Sequence, residues 1–205
     1  MKRIFITGAS SGIGLATATL LSGRGDEVWG TSRDLSRIPP LPRLHGVQLD
    51  LLDPLSLADN FDAALRQAGQ FDVMINNAGT GHFGPAEFLS PEEVHLQFQI
   101  LVFAHIQLCQ LALRAMRDRG GRIINVTSLV SRLPIPFMGA YNAAKAAMAS
   151  FNATLQLDAE QKRPLRLSVR GNTGGTFQGF RRIFPLQMVF KREGDPACRA
   201  DPKLS

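Results

Sequence analysis

Six short apolar runs, most of them separated by segments of helix length, predict an α/β protein with a doubly wound parallel sheet covered by helices on both faces. The runs are residues 4–7, 27–31, 46–50, 71–76, 121–127 and 165–169. A glycine-rich turn follows the first of them, and polar or small residues close the first five. In such a fold a ligand lies at the carboxyl ends of the strands, so each strand end is a candidate site.

The first run leads into T-G-A-S-S-G-I-G, residues 7–14, ahead of the helix-like Leu15-Ala16-Thr17-Ala18-Thr19-Leu20-Leu21. Glycine lacks a Cβ and so permits positive φ and close approach, while the helix start offers unpaired N–H groups and a positive dipole end. Gly8, Ser10, Ser11, Gly12, Ile13 and Gly14 are therefore candidates to cradle a diphosphate. The spacing Gly8-x-x-x-Gly12-x-Gly14 is not G-x-G-x-x-G, and a plain strand-to-helix turn is the structural alternative.

The second run ends at Thr31-Ser32-Arg33. A carboxylate there would suit an unphosphorylated ribose, whereas Arg33 suits a 2′-phosphate and favours NADP(H) over NAD(H); an exposed, solvated arginine is the alternative. Pro39-Pro40-Leu41-Pro42 leaves the next helix short or absent. Asp50, closing the third run, could accept from an adenine amino group or cap the turn before Pro54. Asn76-Asn77-Ala78-Gly79 closes the fourth as an amide-bonded turn, as cofactor lining, or as both. His82, Phe83 and Pro85 follow in a loop able to border a substrate.

Tyr141, the only tyrosine, and Lys145 lie four apart in an alanine-rich stretch, hence on one helix face. An ammonium beside a phenol stabilises the phenolate and lowers a pKa that is ordinarily about 10. A phenol so tuned can donate and recover a proton near neutral pH. Ser128, thirteen residues before Tyr141, could hydrogen-bond a carbonyl oxygen that Tyr141 protonates, leaving the carbon open to hydride. An exposed helix pair and a strand-end cap are the bland alternatives.

A length of 205 residues suits one domain with a substantial core. The net charge is +6, yet residues 1–159 balance 13 basic against 13 acidic side chains, so the surplus lies in the last 46 residues. No aromatic-interleaved basic patch accompanies it, which argues for a solvated tail and against nucleic acid. Cys109 and Cys198 form no metal-ligand cluster with His45, His82, His95 or His105, and a reducing, cytoplasmic setting is expected. The apolar run before Thr7, Ile4-Phe5-Ile6, is three residues long, too short for a signal-peptide core. Residues 94–113 carry no charge but include four glutamines and two histidines, the pattern of a buried interface helix and not of a membrane span.

In combination, T-G-A-S-S-G-I-G, Asn76-Asn77-Ala78-Gly79, Ser128 and Tyr141-x-x-x-Lys145 resemble the short-chain dehydrogenase/reductase family over about residues 1–180. The resemblance implies a three-layer Rossmann-type sheet of order 3-2-1-4-5-6 and a nicotinamide-dependent exchange of a carbonyl with a secondary alcohol, for which Arg33 favours NADP(H). It implies Tyr141 as proton donor, Lys145 on the nicotinamide ribose and tuning the phenol, and Ser128 orienting the carbonyl. Gly8, Gly12, Gly14, Asp50, Asn77, Ala78 and Gly79 would touch cofactor. Helices over residues 94–116 and 140–159 would form a homodimer interface.

Three departures limit the resemblance. Leu101 stands where the family carries an asparagine tied to a water-linked proton relay. The sixth strand runs into Arg170-Gly171, expected to disturb its end, and then Asn172-Thr173-Gly174-Gly175-Thr176 without the family's proline. After Phe180 a basic, irregular tail, residues 181–205, replaces the substrate lid, last helix and seventh strand. A truncated or degenerate relative that binds NADP(H) or dimerises without useful turnover is the rival expectation.

Overall fold

Six parallel strands, β1 (Arg3–Ile6), β2 (Glu27–Ser32), β3 (Leu44–Gln48), β4 (Val73–Asn76), β5 (Gly121–Asn125) and β6 (Leu167–Gly171), form one sheet in the order β3-β2-β1-β4-β5-β6. The computed structural model describes residues 1–161 and 167–171, with side chains as far as Asp158. The departures expected at residues 172–176, the seventh strand and the 181–205 tail lie outside the described residues.

Both faces of the sheet are buried, which is why its inner strands read as apolar runs and not as alternations. Ile4 and Ile6 point to one side, where they join Val28, Val73, Ile75 and Ala18 of helix α1 (Gly12–Gly23). Phe5, Trp29, Met74 and Ile123 point to the other, against α2 (Pro54–Ala68), α4 (Ala104–Ala115) and α5 (Gly139–Gln161). Phe5 meets the rings of Phe61 and Phe71 edge-on at 5.2 and 5.3 Å between centroids, contacts favoured by the aromatic quadrupole.

Helix starts follow local chemistry. Asp53 accepts from the N–H groups of Leu55 and Ser56 ahead of α2, with Pro54 supplying a preset φ. Ser90 and Glu93 form a reciprocal capping box on α3 (Pro91–Phe98). The proline cluster at residues 39–42 leaves only a 3₁₀ turn, Leu35–Arg37, between β2 and β3.

The helix predicted over residues 94–116 runs as Pro91–Ala115, made of α3, a wide turn of π-helix at Gln99–Phe103, and α4 (Ala104–Ala115). By length and composition Pro91–Ala115 could cross a membrane, but Gln97, Leu101, Leu108, Cys109 and Ala112 are fully buried within the protein. Arg170 and Gly171 do not disturb the sixth strand. They continue it in register with Ile124 and Asn125.

Winding runs outward from β1 to β3 and then returns to place β4 beside β1, so the turn after β1 and Asn76-Asn77-Ala78-Gly79 after β4 flank the point where strand order reverses. That crevice is where such sheets take ligands.

Candidate active site

The turn over residues 7–14 is fastened from beneath. The buried Thr7 hydroxyl accepts from the N–H groups of Asn77 and Ala78, each at 2.9 Å. Asn77 returns a bond from Nδ2 to the Thr7 carbonyl at 3.0 Å, and Gly8 N–H donates to the Thr31 hydroxyl at 3.2 Å. A Cβ on Gly14 would fall on the Gly8 carbonyl oxygen and 2.5 Å from Asn77 Nδ2, so this glycine permits turn, helix and β4 to meet. Gly12 differs: its φ is +55° and a Cβ there would meet nothing within 4 Å. Ser11, Gly12 and Ile13 are exposed and Ser10 is half-buried along that open side. Ser11 occupies the N-cap of α1 without donating or accepting a side-chain cap bond, leaving the first N–H groups of the helix to other partners.

Arg33 is exposed just past β2, and its guanidinium makes no hydrogen bond or ion pair among the described residues. Asp50 is half-buried past β3, and one carboxylate oxygen accepts from Leu52 N–H at 3.0 Å, the turn role expected as its alternative. Gly79 is exposed above Leu101, whose side chain would lie 3.0 Å from a Cβ there.

Ser128, Tyr141 and Lys145 meet on the far side of β4. Ser128 caps the short 3₁₀ turn Leu129–Ser131, and its hydroxyl also bonds the Tyr141 phenol. Lys145 sends Nζ to the Val126 carbonyl at 2.9 Å and sits 5.8 Å from the centroid of the Tyr141 ring. The Phe83 ring packs edge-on against Tyr141 at 5.6 Å, which brings the loop after Gly79 to the site. One hydrogen-bonded path joins the two halves: Val126 N–H donates to the Asn76 carbonyl at 2.8 Å, and the adjacent Asn77 is bound to Thr7.

The electrostatics depart from expectation. Burial raises the Tyr141 phenol above its ordinary value, and the Ser128 bond only partly offsets it; the lowering expected from Lys145 is not present in this arrangement. Burial instead takes Lys145 down to about 8. Its charge is directed at a backbone carbonyl, and its nearness to the phenol is to the ring.

The model of the short chain dehydrogenase family matches residues 2–177. The chain belongs to the short-chain dehydrogenase family. A 3-ketodihydrosphingosine reductase of Bacteroides thetaiotaomicron is 36% identical over 156 residues, covering 76% of this chain and 57% of the relative. An alcohol dehydrogenase of Thermococcus sibiricus solved with 5-hydroxy-NADP superposes with a TM-score of 0.76 at 28% identity, over 87% of this chain and 80% of that one. A 3-ketoacyl-(acyl-carrier-protein) reductase of Brucella melitensis solved with NADH gives 0.75 at 26%, over 83% and 74%. The chain spans a little over half the length of the curated relatives it matches. Short-chain dehydrogenases are oxidoreductases that bind nicotinamide cofactors, and both NADP- and NADH-type complexes occur among these neighbours.

Beneath the three side chains lies a buried polar floor that motif reading missed. Asn76 Nδ2 donates to Asn125 Oδ1 at 2.6 Å, and Asn125 in turn bonds Asn152 on α5. Gln97, Leu101 and His105 stand four apart along α3, the wide turn and α4, all buried. Two polar residues at that spacing around Leu101, inside an uncharged run, were the available signal.

Proposed function

We propose that this chain is an NADP(H)-dependent oxidoreductase interconverting a carbonyl and a secondary alcohol, with Tyr141 as general acid and base and residues 1–180 as its catalytic domain. The observation that carries the reading is the meeting of Ser128, Tyr141 and Lys145 at the strand ends beside the open glycine turn. A dinucleotide fits the residues present: the Gly12 side is open, the α1 N-terminus is uncapped by Ser11, and Arg33 is unpaired among the described residues.

Gly8, Ser10, Ser11, Gly12, Ile13 and Gly14 would hold the pyrophosphate, Arg33 a 2′-phosphate, Asp50 the adenine, and Asn77, Ala78 and Gly79 the middle of the cofactor. Lys145 would bind the nicotinamide ribose alongside Tyr141. When bound, the nicotinamide supplies or accepts the hydride. Ser128 and Tyr141 bind the substrate oxygen; Tyr141 gives it a proton in reduction and takes one in oxidation. The raised phenol keeps Tyr141 protonated at neutral pH, the state needed to donate. Phe83, packed on Tyr141, lines the substrate side.

A homodimer through α3–α4 and α5 belongs to the same reading; Phe103, half exposed on the wide turn and packed against Phe98, and Leu157 on α5 supply apolar surface for it. The test is NADPH and NADH consumption over a panel of ketones and aldehydes, with nucleotide binding measured in parallel. Turnover with NADPH in preference to NADH is expected. Intact binding without hydride transfer to any carbonyl would instead support the non-catalytic relative.

A further inference from the structure

Lys145 is almost fully buried, and an ammonium has three N–H donors, of which one has a partner among the described residues, the Val126 carbonyl. On α4 lies His105, also buried, in the first turn after the π-helical segment. Its ring bonds the Leu101 carbonyl one turn earlier, which assigns the proton to that nitrogen. The opposite nitrogen, Nε2, is then a bare acceptor, and it has no partner among the described residues. Asn76 Oδ1 is a second unpartnered acceptor in the same floor, and Asn76 Nδ2 reaches the His105 carbonyl at 3.5 Å.

An unpaired buried acceptor and an under-coordinated buried ammonium each cost free energy alone, and both costs fall when the two meet. Leu101 offers no polar side chain to do this, while His105, four residues on, does. We propose that His105 is a positioning residue for Lys145: one buried water accepts from the ammonium and donates to His105 Nε2 and to Asn76 Oδ1, and so sets where a second N–H of Lys145 points.

The surroundings keep the imidazole neutral and able to accept. Burial and the charge of Lys145 on α5 hold it down to about 3. On α4 the Cys109 thiol is pushed up to about 11 by burial and carries no charge at neutral pH. The neighbouring strands β4 and β5 present Asn76 and Asn125, which do not titrate.

The link to catalysis rests on the function proposed above, but the pair can be read without turnover. In nucleotide-free protein with ¹⁵N-labelled lysine, the Lys145 amine is followed through its titration by NMR. His105→Phe, which keeps the bulk and removes the acceptor, is expected to lower the midpoint by about one to two units, the size of a lost hydrogen bond to a charged group. His105→Gln, which restores an acceptor, should return it towards wild type. An unchanged midpoint in His105→Phe overturns the proposal. Should that variant not fold, Lys145→Met in ¹⁵N-histidine-labelled protein reads the pair from the other side: the Nε2 resonance of His105 moves if the two side chains share that water, and an unmoved resonance overturns it. A wild-type protein with no hydride transfer would refute the oxidoreductase reading and leave both NMR results to decide His105.

Discussion

Around the glycine turn, Thr7, Gly8, Thr31, Asn77 and Ala78 exchange short hydrogen bonds. Across β4, behind Tyr141 and Lys145, the buried Asn76 Oδ1, Gln97 Nε2, His105 Nε2 and Asn152 Nδ2 have no partner among the described residues, and burial shifts both Tyr141 and Lys145. The turn is held together by satisfied groups and keeps one open side at Gly12. The Tyr–Lys side holds ionisable groups in unfavourable surroundings, which is where chemistry is more often found than stability. Residues whose types suggest ligand contact, such as Asn77 and Ala78, therefore serve the fold first, and removing them should act on stability before it acts on binding.

Mutations on the turn side should accordingly destabilise, and one on the other side should do the opposite. Gly14→Ala drives a Cβ into the Gly8 carbonyl and the Asn77 amide, and should cost about 3 kcal/mol or more, read as a large fall in the urea midpoint. An unchanged midpoint would mean that the turn is not braced in the way described. Thr7→Val preserves shape but leaves the Asn77 and Ala78 N–H groups without their acceptor, so a loss of about 2–4 kcal/mol is expected by the same measurement.

Lys145→Met should have the opposite sign at pH 7. The folded amine titrates near 8, below its ordinary 10.5, so the unfolded chain binds more protons between these values and wild-type stability rises with pH across that window. Methionine removes the buried charge but also the partner of Val126, giving a net gain of about 1 kcal/mol at pH 7 and loss of the alkaline rise. A destabilised Lys145→Met with the rise intact would erase the contrast between the two sides.

The smallest expected effect is on acid stability. Because His105 is held at about 3 against an ordinary 6.5, the native state loses stability as pH falls through that interval. His105→Gln should flatten the slope of the thermal midpoint between pH 6.5 and pH 3.

Strand positions and the missing helix at the proline cluster were legible because they follow from apolar runs and proline geometry, whereas the strand order that sets the first and fourth strand ends side by side came from the resemblance. The Tyr141–Lys145 pair was legible from helical spacing alone. The π-helical turn was not, since Gln99–Phe103 breaks the hydrogen-bond ladder without altering the apolar pattern around it. Nor was the raised phenol: spacing puts Lys145 beside Tyr141, but burial and the pull of the Val126 carbonyl, both long-range properties, decide what the cation does there. Arg170 and Gly171 misled for a related reason, because pairing with Ile124 and Asn125 in the sheet outweighs the weak strand preference of glycine.

In the proposed reaction Tyr141 moves the proton while the glycine turn holds the nucleotide. Wild type and Tyr141→Phe should be compared for NADPH affinity and for NADPH-dependent reduction of a carbonyl substrate found in the panel. Unchanged affinity and a rate lower by about 10²–10⁴-fold are expected; equal rates in the two proteins would rule out Tyr141 as the proton donor.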